Sequence, residues 1–261
     1  MSEGRRTVII TGASRGIGHS TARMFLDRGW KIITCSRDET PEECKRDPNW
    51  TVHIPTDLSD SDSIATFIKE ATKVLGNDPL HGLVNNAGVS PKSEHKERLG
   101  CLNGDLEAWQ DVFELNLFAP LKLSRGFASA LHKGGGAIVN ITSIAGHSIH
   151  PFAGSAYSIS KAALSGLTRE MANEFASLGV RVNAVSPGEI ENCLEDHPQI
   201  EEAAVIGVPD TEWGEVVKAI LVLKPDAKMT QEEVTEYCKS NLASFKAPQY
   251  IGIVKLNVFL I

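Results

Sequence analysis

Tyr157 and Lys161, in the run Ala156-Tyr157-Ser158-Ile159-Ser160-Lys161, are a pair whose types and spacing could move a proton. Four residues apart on a helix, they share a face about one turn from each other. A phenol titrates near pH ~10 in water, so proton exchange near neutrality needs roughly 3 units, or ~4 kcal/mol, in favour of the phenolate. An ammonium held within ~4–6 Å can supply much of that. The plain alternative is an amphipathic helix whose lysine stem lies along apolar surface. The elements that position the pair decide between the two.

Upstream, Thr7-Val8-Ile9-Ile10 has the β-branched character of a buried parallel strand. It leads into Thr11-Gly12-Ala13-Ser14-Arg15-Gly16-Ile17-Gly18, a helical pattern ended by Gly29, and a second strand, Lys31-Ile32-Ile33-Thr34-Cys35. Strand, glycine turn, helix and strand make a βαβ unit whose glycines let backbone approach a pyrophosphate at a helix N-terminus. An NAD site places an acid at the end of the second strand. Here Ser36-Arg37 stand there and Arg15 lies in the glycine loop, which suits a 2′-phosphate and favours NADP(H). Asp38 follows at once and keeps NAD(H) open.

A third strand, Thr51 to Pro55, ends in Thr56-Asp57-Leu58, where Asp57 is either an adenine contact or a turn residue. A helix is expected from Ser63 to Val74, then a strand and its exit, Leu83-Val84-Asn85-Asn86-Ala87-Gly88. The asparagines can bond backbone across the sheet, and Ala87-Gly88 leave room for a ribose or adenine. After a polar loop, Val89 to Asn103, helical pattern runs from about Asp105 to Leu131, with a kink expected at Pro120. Asn116 lies on its apolar face, where a carboxamide is costly unless bonded to backbone or given a task. Ala137 to Thr142 reads as a fifth strand with Ser143 at its end, the Tyr157 helix follows, and Val180 to Val185 is a sixth strand leading to Ser186-Pro187-Gly188.

The formal charge of -7 and pI near 5.6 argue against a nucleic-acid or anionic-membrane surface. No apolar run approaches ~20 residues, and the N-terminus runs straight into strand pattern with nothing resembling a signal peptide. Five scattered cysteines without C-x-x-C spacing, and histidines without ligand spacing, read as reduced thiols in a cytoplasmic protein with no structural metal.

Residues 5 to about 190 closely resemble the short-chain dehydrogenase/reductase family. The resemblance rests on the Thr11–Gly18 loop, Asn85-Asn86-Ala87-Gly88, Asn116, Ser143, Tyr157-x-x-x-Lys161 and Pro187-Gly188, in order and at family spacing. It implies an α/β fold, a Rossmann-type doubly wound parallel sheet of order 3-2-1-4-5-6-7, with a nicotinamide cofactor across its C-terminal edge. It assigns Tyr157 as general acid/base, Lys161 as the cation that lowers the Tyr157 pKa and bonds the nicotinamide ribose, and Ser143 as the group that orients the substrate oxygen. Asn116 would hold a kink and a water relay. The cofactor contacts implied are Gly12, Ser14, Arg15, Gly16, Ile17, Gly18, Ser36, Arg37, Asp57, Leu58, Asn86, Ala87, Gly88, Tyr157, Lys161, Pro187 and Gly188. The substrate would be a small-molecule carbonyl or secondary alcohol. Family members commonly assemble as homo-oligomers.

Beyond Gly188 the family's substrate loop and seventh strand are not recognisable. No arginine occurs after Arg181, and acids dominate. Residues 189 to about 255 resemble part of the small C-terminal domain of adenylate-forming ligases of the acyl-CoA synthetase type, without its hinge or terminal Gly-Lys loop. Ligase activity is not expected. The chain therefore reads as a chimera: a reductase domain over 1–188 lacking its usual last strand, then a small α/β tail over 189–261. Either Val217–Leu223 or Tyr250–Leu256 is expected to cover the open edge of the sixth strand. The competing arrangement is a tail folded by itself, with that edge paired to another chain and the apolar end Val258-Phe259-Leu260-Ile261 an aggregation liability. With the lid replaced, NADP(H) binding is expected to survive, with weak or unselective turnover. Two other readings stand beside the enzyme: a cofactor binder that has lost its chemistry, and an interaction module using Trp213-Gly214-Glu215. His147, His150 and Phe152 are candidate pocket walls or ordinary loop packing.

Overall fold

The structure, a computed structural model, describes residues 5–38, 50–94, 97–149, 153–210, 214–242 and 247–254. His150, Phe152, Trp213 and the last seven residues fall outside these. The chain divides into two compact units, Met1–Ser186 and Pro187–Ile261.

In the first unit, six strands form one parallel sheet in the order β3-β2-β1-β4-β5-β6. They are β1 (Thr7–Thr11), β2 (Lys31–Ser36), β3 (Trp50–Pro55), β4 (Gly82–Asn85), β5 (Ala137–Ile141) and β6 (Arg181–Val185). Every residue of β1 is buried, because helices cover both faces of the central strands. Ile9, Ile33, Leu83, Ile138 and Val182 face one core, packed by α2 (Ser61–Leu75), α4 (Ala119–Gly134) and α5 (Ser155–Ala176). Their neighbours Val8, Ile10, Ile32 and Val84 face the other, under α1 (Gly16–Asp27). The change of winding direction between β1 and β4 opens a crevice at the C-terminal ends of the strands, where ligands of such sheets bind.

The long helix expected from Asp105 to Leu131 is interrupted. It comprises α3 (Leu106–Phe113), a π turn (Glu114–Phe118) and α4. Pro120 lies in the first turn of α4 and is not itself the kink. Its missing N–H and its ring disturb the bond to the carbonyl four residues back, that of Asn116. The chain widens there, and the Ala119 N–H donates to the Glu114 carbonyl five residues back. The irregularity therefore falls on Asn116.

In the second unit, α6 (Glu189–Glu195) precedes β7 (Ile200–Asp210), β8 (Gly214–Leu223), α7 (Gln231–Asn241) and β9 (Tyr250–Val254). β8 is central, antiparallel to β7 and parallel to β9. Cys193, Leu194, Ile200, Leu221, Val234 and Cys238 build a separate core. Thr230 and Glu233 exchange the two bonds of a capping box at the start of α7. The expectation that a tail strand completes the reductase sheet is not met: β8 is paired on both sides within the tail sheet, and β9 pairs with β8. The competing arrangement, a tail that folds as its own α/β unit, is the one observed. β6 ends the first sheet with four of its five residues exposed. Among the described residues no helix is long and apolar enough to cross a membrane.

Candidate active site and cofactor groove

A groove of about 230 Å³ opens at the C-terminal ends of β1, β2 and β4. Of the residues assigned to a cofactor from sequence, Gly12, Ser14, Arg15, Ser36, Arg37, Leu58, Asn86, Ala87 and Gly88 line it. Asp38, Thr56, Val89 and Leu115 line it as well. Gly16, Ile17 and Gly18 open α1 beside it.

The floor is a tight backbone crossing. Gly12 takes a φ of +66°, and a β-carbon there would sit 2.9 Å from Cα of Ala87. A β-carbon on Gly18 would collide with Nδ2 of Asn86 and the Gly12 carbonyl oxygen. Asn86 ties the crossing together, its Nδ2 donating to the carbonyls of Thr11 at 2.9 Å and Gly12 at 3.2 Å. The Thr11 hydroxyl accepts from the Asn86 and Ala87 amides, both at 3.0 Å. The expectation that the two asparagines bond backbone across the sheet is met by Asn86 alone; Asn85 instead donates to the side chains of Asn140 at 2.8 Å and Ser124 at 3.4 Å. The Thr11 hub was not singled out in the sequence. Gly18→Ala should destabilise the first unit by about 2–3 kcal/mol, since backbone must shift to admit the methyl group. Thermal melts of the two proteins check this, and an unchanged midpoint would mean that the crossing is looser than its distances.

The N-terminus of α1 is bare. Arg15 at its N-cap makes no side-chain cap bond, and no acid lies in the first turn. By contrast Asp60 and Asp105 cap α2 and α3. Open amides, the helix dipole and the Arg15 and Arg37 guanidiniums on one groove make a place for phosphate. The residues present therefore fit a dinucleotide. Asp57 behaves as a turn residue: its Oδ1 accepts from the Ser59 amide at 2.9 Å and the Ser59 hydroxyl at 2.6 Å. These bonds hold its carboxyl below the ordinary range, against some burial and with help from Arg37. It does not line the groove.

Lys161 and Ser143 gather at the end of β5, with Tyr157 beside Lys161. Lys161 is 3% exposed, and its Nζ donates to the Ile141 carbonyl at 2.6 Å. That ammonium lies 5.7 Å from the centroid of the half-buried Tyr157 ring. Burial pushes the Lys161 pKa down from 10.5 to about 8. A β-carbon on Gly88 would sit 3.2 Å from Lys161 Nζ and 3.4 Å from Asn116 Oδ1, so the groove adjoins Lys161 and Asn116.

Asn116 is fully buried, its Oδ1 accepting from the Val89 amide at 2.9 Å. Its Nδ2 donates to the Val89 carbonyl and the Ser160 hydroxyl, both at 3.0 Å. Backbone thus satisfies it while it straps the π turn to α5. Ser143, two residues beyond Ile141, caps a 3₁₀ turn (Ile144–Gly146) by accepting from the Ala145 amide at 3.2 Å. Gly146 presses that turn against α5, where a β-carbon would sit 2.8 Å from the Ala162 nitrogen. His147 lies on an open surface hollow with Ser158 and Ala162. Pro187 and Gly188 open the second unit, Gly188 with a φ of +93°. The Ile141 carbonyl and Ser160 were not singled out in the sequence, although Ser160 lies within the run that drew attention to Tyr157.

A doubly wound sheet with a glycine cradle at its crevice, and a tyrosine and a buried lysine beside it, define a nucleotide-dependent oxidoreductase. The family model for short chain dehydrogenases matches residues 6–199, and the AMP-binding enzyme C-terminal domain matches residues 189–257. The two overlap over 189–199, where the sequence could be read either way. Protein FixR of Bradyrhizobium diazoefficiens is 46% identical over 226 residues, 85% of this chain and 81% of its own. A short chain dehydrogenase/reductase from Brucella ovis, solved with a partially ordered NAD, is 48% identical with a TM-score of 0.68, covering 72% of this chain and 85% of its own. An NADPH-bound carbonyl reductase from chicken fatty liver is 27% identical with a TM-score of 0.62, covering 70% and 79%. The chain belongs to the short-chain dehydrogenase/reductase family of NAD(P)-dependent oxidoreductases, and carries a ligase-type tail.

Proposed function

We propose that the protein interconverts a carbonyl and a secondary alcohol with NADP(H), Tyr157 acting as general acid/base. The observation that carries this reading is the buried Lys161 ammonium, 5.7 Å from the Tyr157 ring and bonded to the Ile141 carbonyl at 2.6 Å. With this cation beside its ring, Tyr157 is the group placed to give a proton to a forming alkoxide or take one from an alcohol. Ser143 orients the reacting oxygen, and the π turn strapped by Asn116 keeps α5 in register with β5. When bound, the nicotinamide supplies the hydride. Pro187 and Gly188 are assigned to the cofactor on the family resemblance.

NADP(H) is preferred because Arg15, Ser36 and Arg37 share the groove wall where a 2′-phosphate would lie. Asp38 lines the same wall and is the feature that speaks for NAD(H). Among the relatives, the Brucella ovis protein carries NAD and the chicken reductase NADPH. An Arg15→Ala/Arg37→Ala variant should lose at least about tenfold in NADPH affinity and little in NADH affinity, since charge-assisted bonds to a phosphate are worth ~1.5–3 kcal/mol. Fluorescence titrations with both cofactors test this, and an equal loss for the two would refute the 2′-phosphate assignment. The first sheet ends at β6. The reading therefore includes weak discrimination among carbonyl substrates, and a cytoplasmic location in keeping with the free thiols.

A further inference from the structure

The first unit carries a second polar cleft at the opposite edge of its sheet from the cofactor groove. It has a volume of about 790 Å³ and is lined by residues just before or at the N-terminal ends of β1, β2 and β4. Strands of five residues or so put the two edges on the order of 15 Å apart, so the cleft is separate from the groove. Arg5, Arg6, Arg28 and Lys31 are its cations and Asp78 its one acid among the described lining residues. Asp78 is already engaged with Lys31 at 3.6 Å. On a chain of formal charge -7, this is a concentration of positive charge that the overall composition does not foretell.

The cations come from two separate segments, one before β1 and one leading into β2, and two rings lie among them. The Arg6 guanidinium sits 5.7 Å over Trp30, and His81 meets the Trp30 ring edge-on at 6.2 Å. His81 accepts the Thr7 N–H at Nδ1, 3.1 Å away. The neutral ring therefore holds its proton on Nε2 and offers a donor. Burial, then Arg6, keeps its pKa low, in keeping with that neutral form. The cleft thus presents guanidinium forks, an ammonium and an imidazole N–H, with one carboxylate opposing them. Guanidiniums suit oxyanions through paired N–H donors, and a concave site of this volume suits a small molecule better than a flat macromolecular contact.

We propose that this cleft binds a small polyphosphate-bearing molecule, its phosphates held by Arg6 and Arg28 with Trp30 and His81 as the wall. The proposal does not depend on the catalytic reading. Its test is calorimetric titration of the full chain with inorganic tripolyphosphate and with ATP. The proteins compared are the wild type, Arg6→Gln/Arg28→Gln, and Arg15→Gln/Arg37→Gln, the last removing the groove's own phosphate ligands. Binding to the cleft should persist in the groove variant and weaken at least tenfold in the cleft variant, with a change in tryptophan emission that Trp30→Phe abolishes. Tighter binding of ATP than of tripolyphosphate identifies a nucleoside polyphosphate, and equal binding identifies the phosphate chain alone; both support the site. Arg28→Gln alone, at an exposed position, serves if the double variant does not fold. Binding that survives Arg6→Gln/Arg28→Gln, or that disappears only with Arg15→Gln/Arg37→Gln, overturns the proposal. So does a poly-glutamate peptide that displaces tripolyphosphate at lower concentration, which would make the cleft a protein-docking surface.

Discussion

Tyr157→Phe is expected to lower carbonyl reduction by a factor of about 100 to 10,000 while leaving NADPH affinity within about threefold. The substitution removes one oxygen from a half-buried ring and leaves the aromatic contact with Lys161 in place. Neither the glycine cradle nor the Arg15 and Arg37 wall depends on that oxygen. Binding and chemistry should therefore separate cleanly in steady-state and fluorescence measurements. Equal turnover by the two proteins would assign the proton transfer to another group. Loss of NADPH binding would mean that the hydroxyl serves mainly to hold the cofactor.

The second large effect concerns the cost of keeping Lys161 out of water. In the folded protein it titrates near 8, against 10.5 for an ordinary lysine. Between these values the unfolded chain binds more protons than the folded one, so this group makes stability rise with pH across that window. Below about pH 8 the penalty is present in full, of order 3 kcal/mol, and above about 10.5 it is gone. Lys161→Met removes the penalty and forfeits one hydrogen bond to the Ile141 carbonyl, worth ~1 kcal/mol. The variant should be more stable than the wild type by about 1–2 kcal/mol at pH 7, with the difference fading towards pH 10.5, while turnover collapses. Denaturant melts of both proteins from pH 7 to 10.5 give the comparison. Stability curves that stay parallel would show that the ammonium is solvated.

Much of this arrangement could be read before the structure, because its signals are local. Period, turn residues and β-branched runs place β1 to β6 close to where they are, and the i, i+4 spacing puts Tyr157 and Lys161 on one face of α5. The glycine loop announces its cradle because a side chain would fill it. The features that escaped are those depending on partners distant in sequence. The π turn at Asn116 needs Val89 and Ser160 to define it, and Lys161 finds its carbonyl in β5, twenty residues away. Thr56 and Val89 enter the groove only because the sheet brings the ends of β3 and β4 together, and Leu115 reaches it from the π turn. The tail sheet departs from the sequence expectation for a related reason. An exposed parallel edge invites a partner, but β8 meets β7 along most of its length in a nearly continuous antiparallel register. A local hairpin closes with less entropy lost than a pairing across the chain.

The most direct test of the central claim is to follow the hydride itself. Wild-type protein and Tyr157→Phe would be incubated with NADPH deuterated at the nicotinamide C4 and a panel of small aldehydes and ketones, and the products examined by mass spectrometry. The wild type should yield alcohols carrying deuterium on the former carbonyl carbon, and the variant about 100-fold less label or lower still. NADPH bound by the wild type without label in any product, or label formed equally by both proteins, would contradict it.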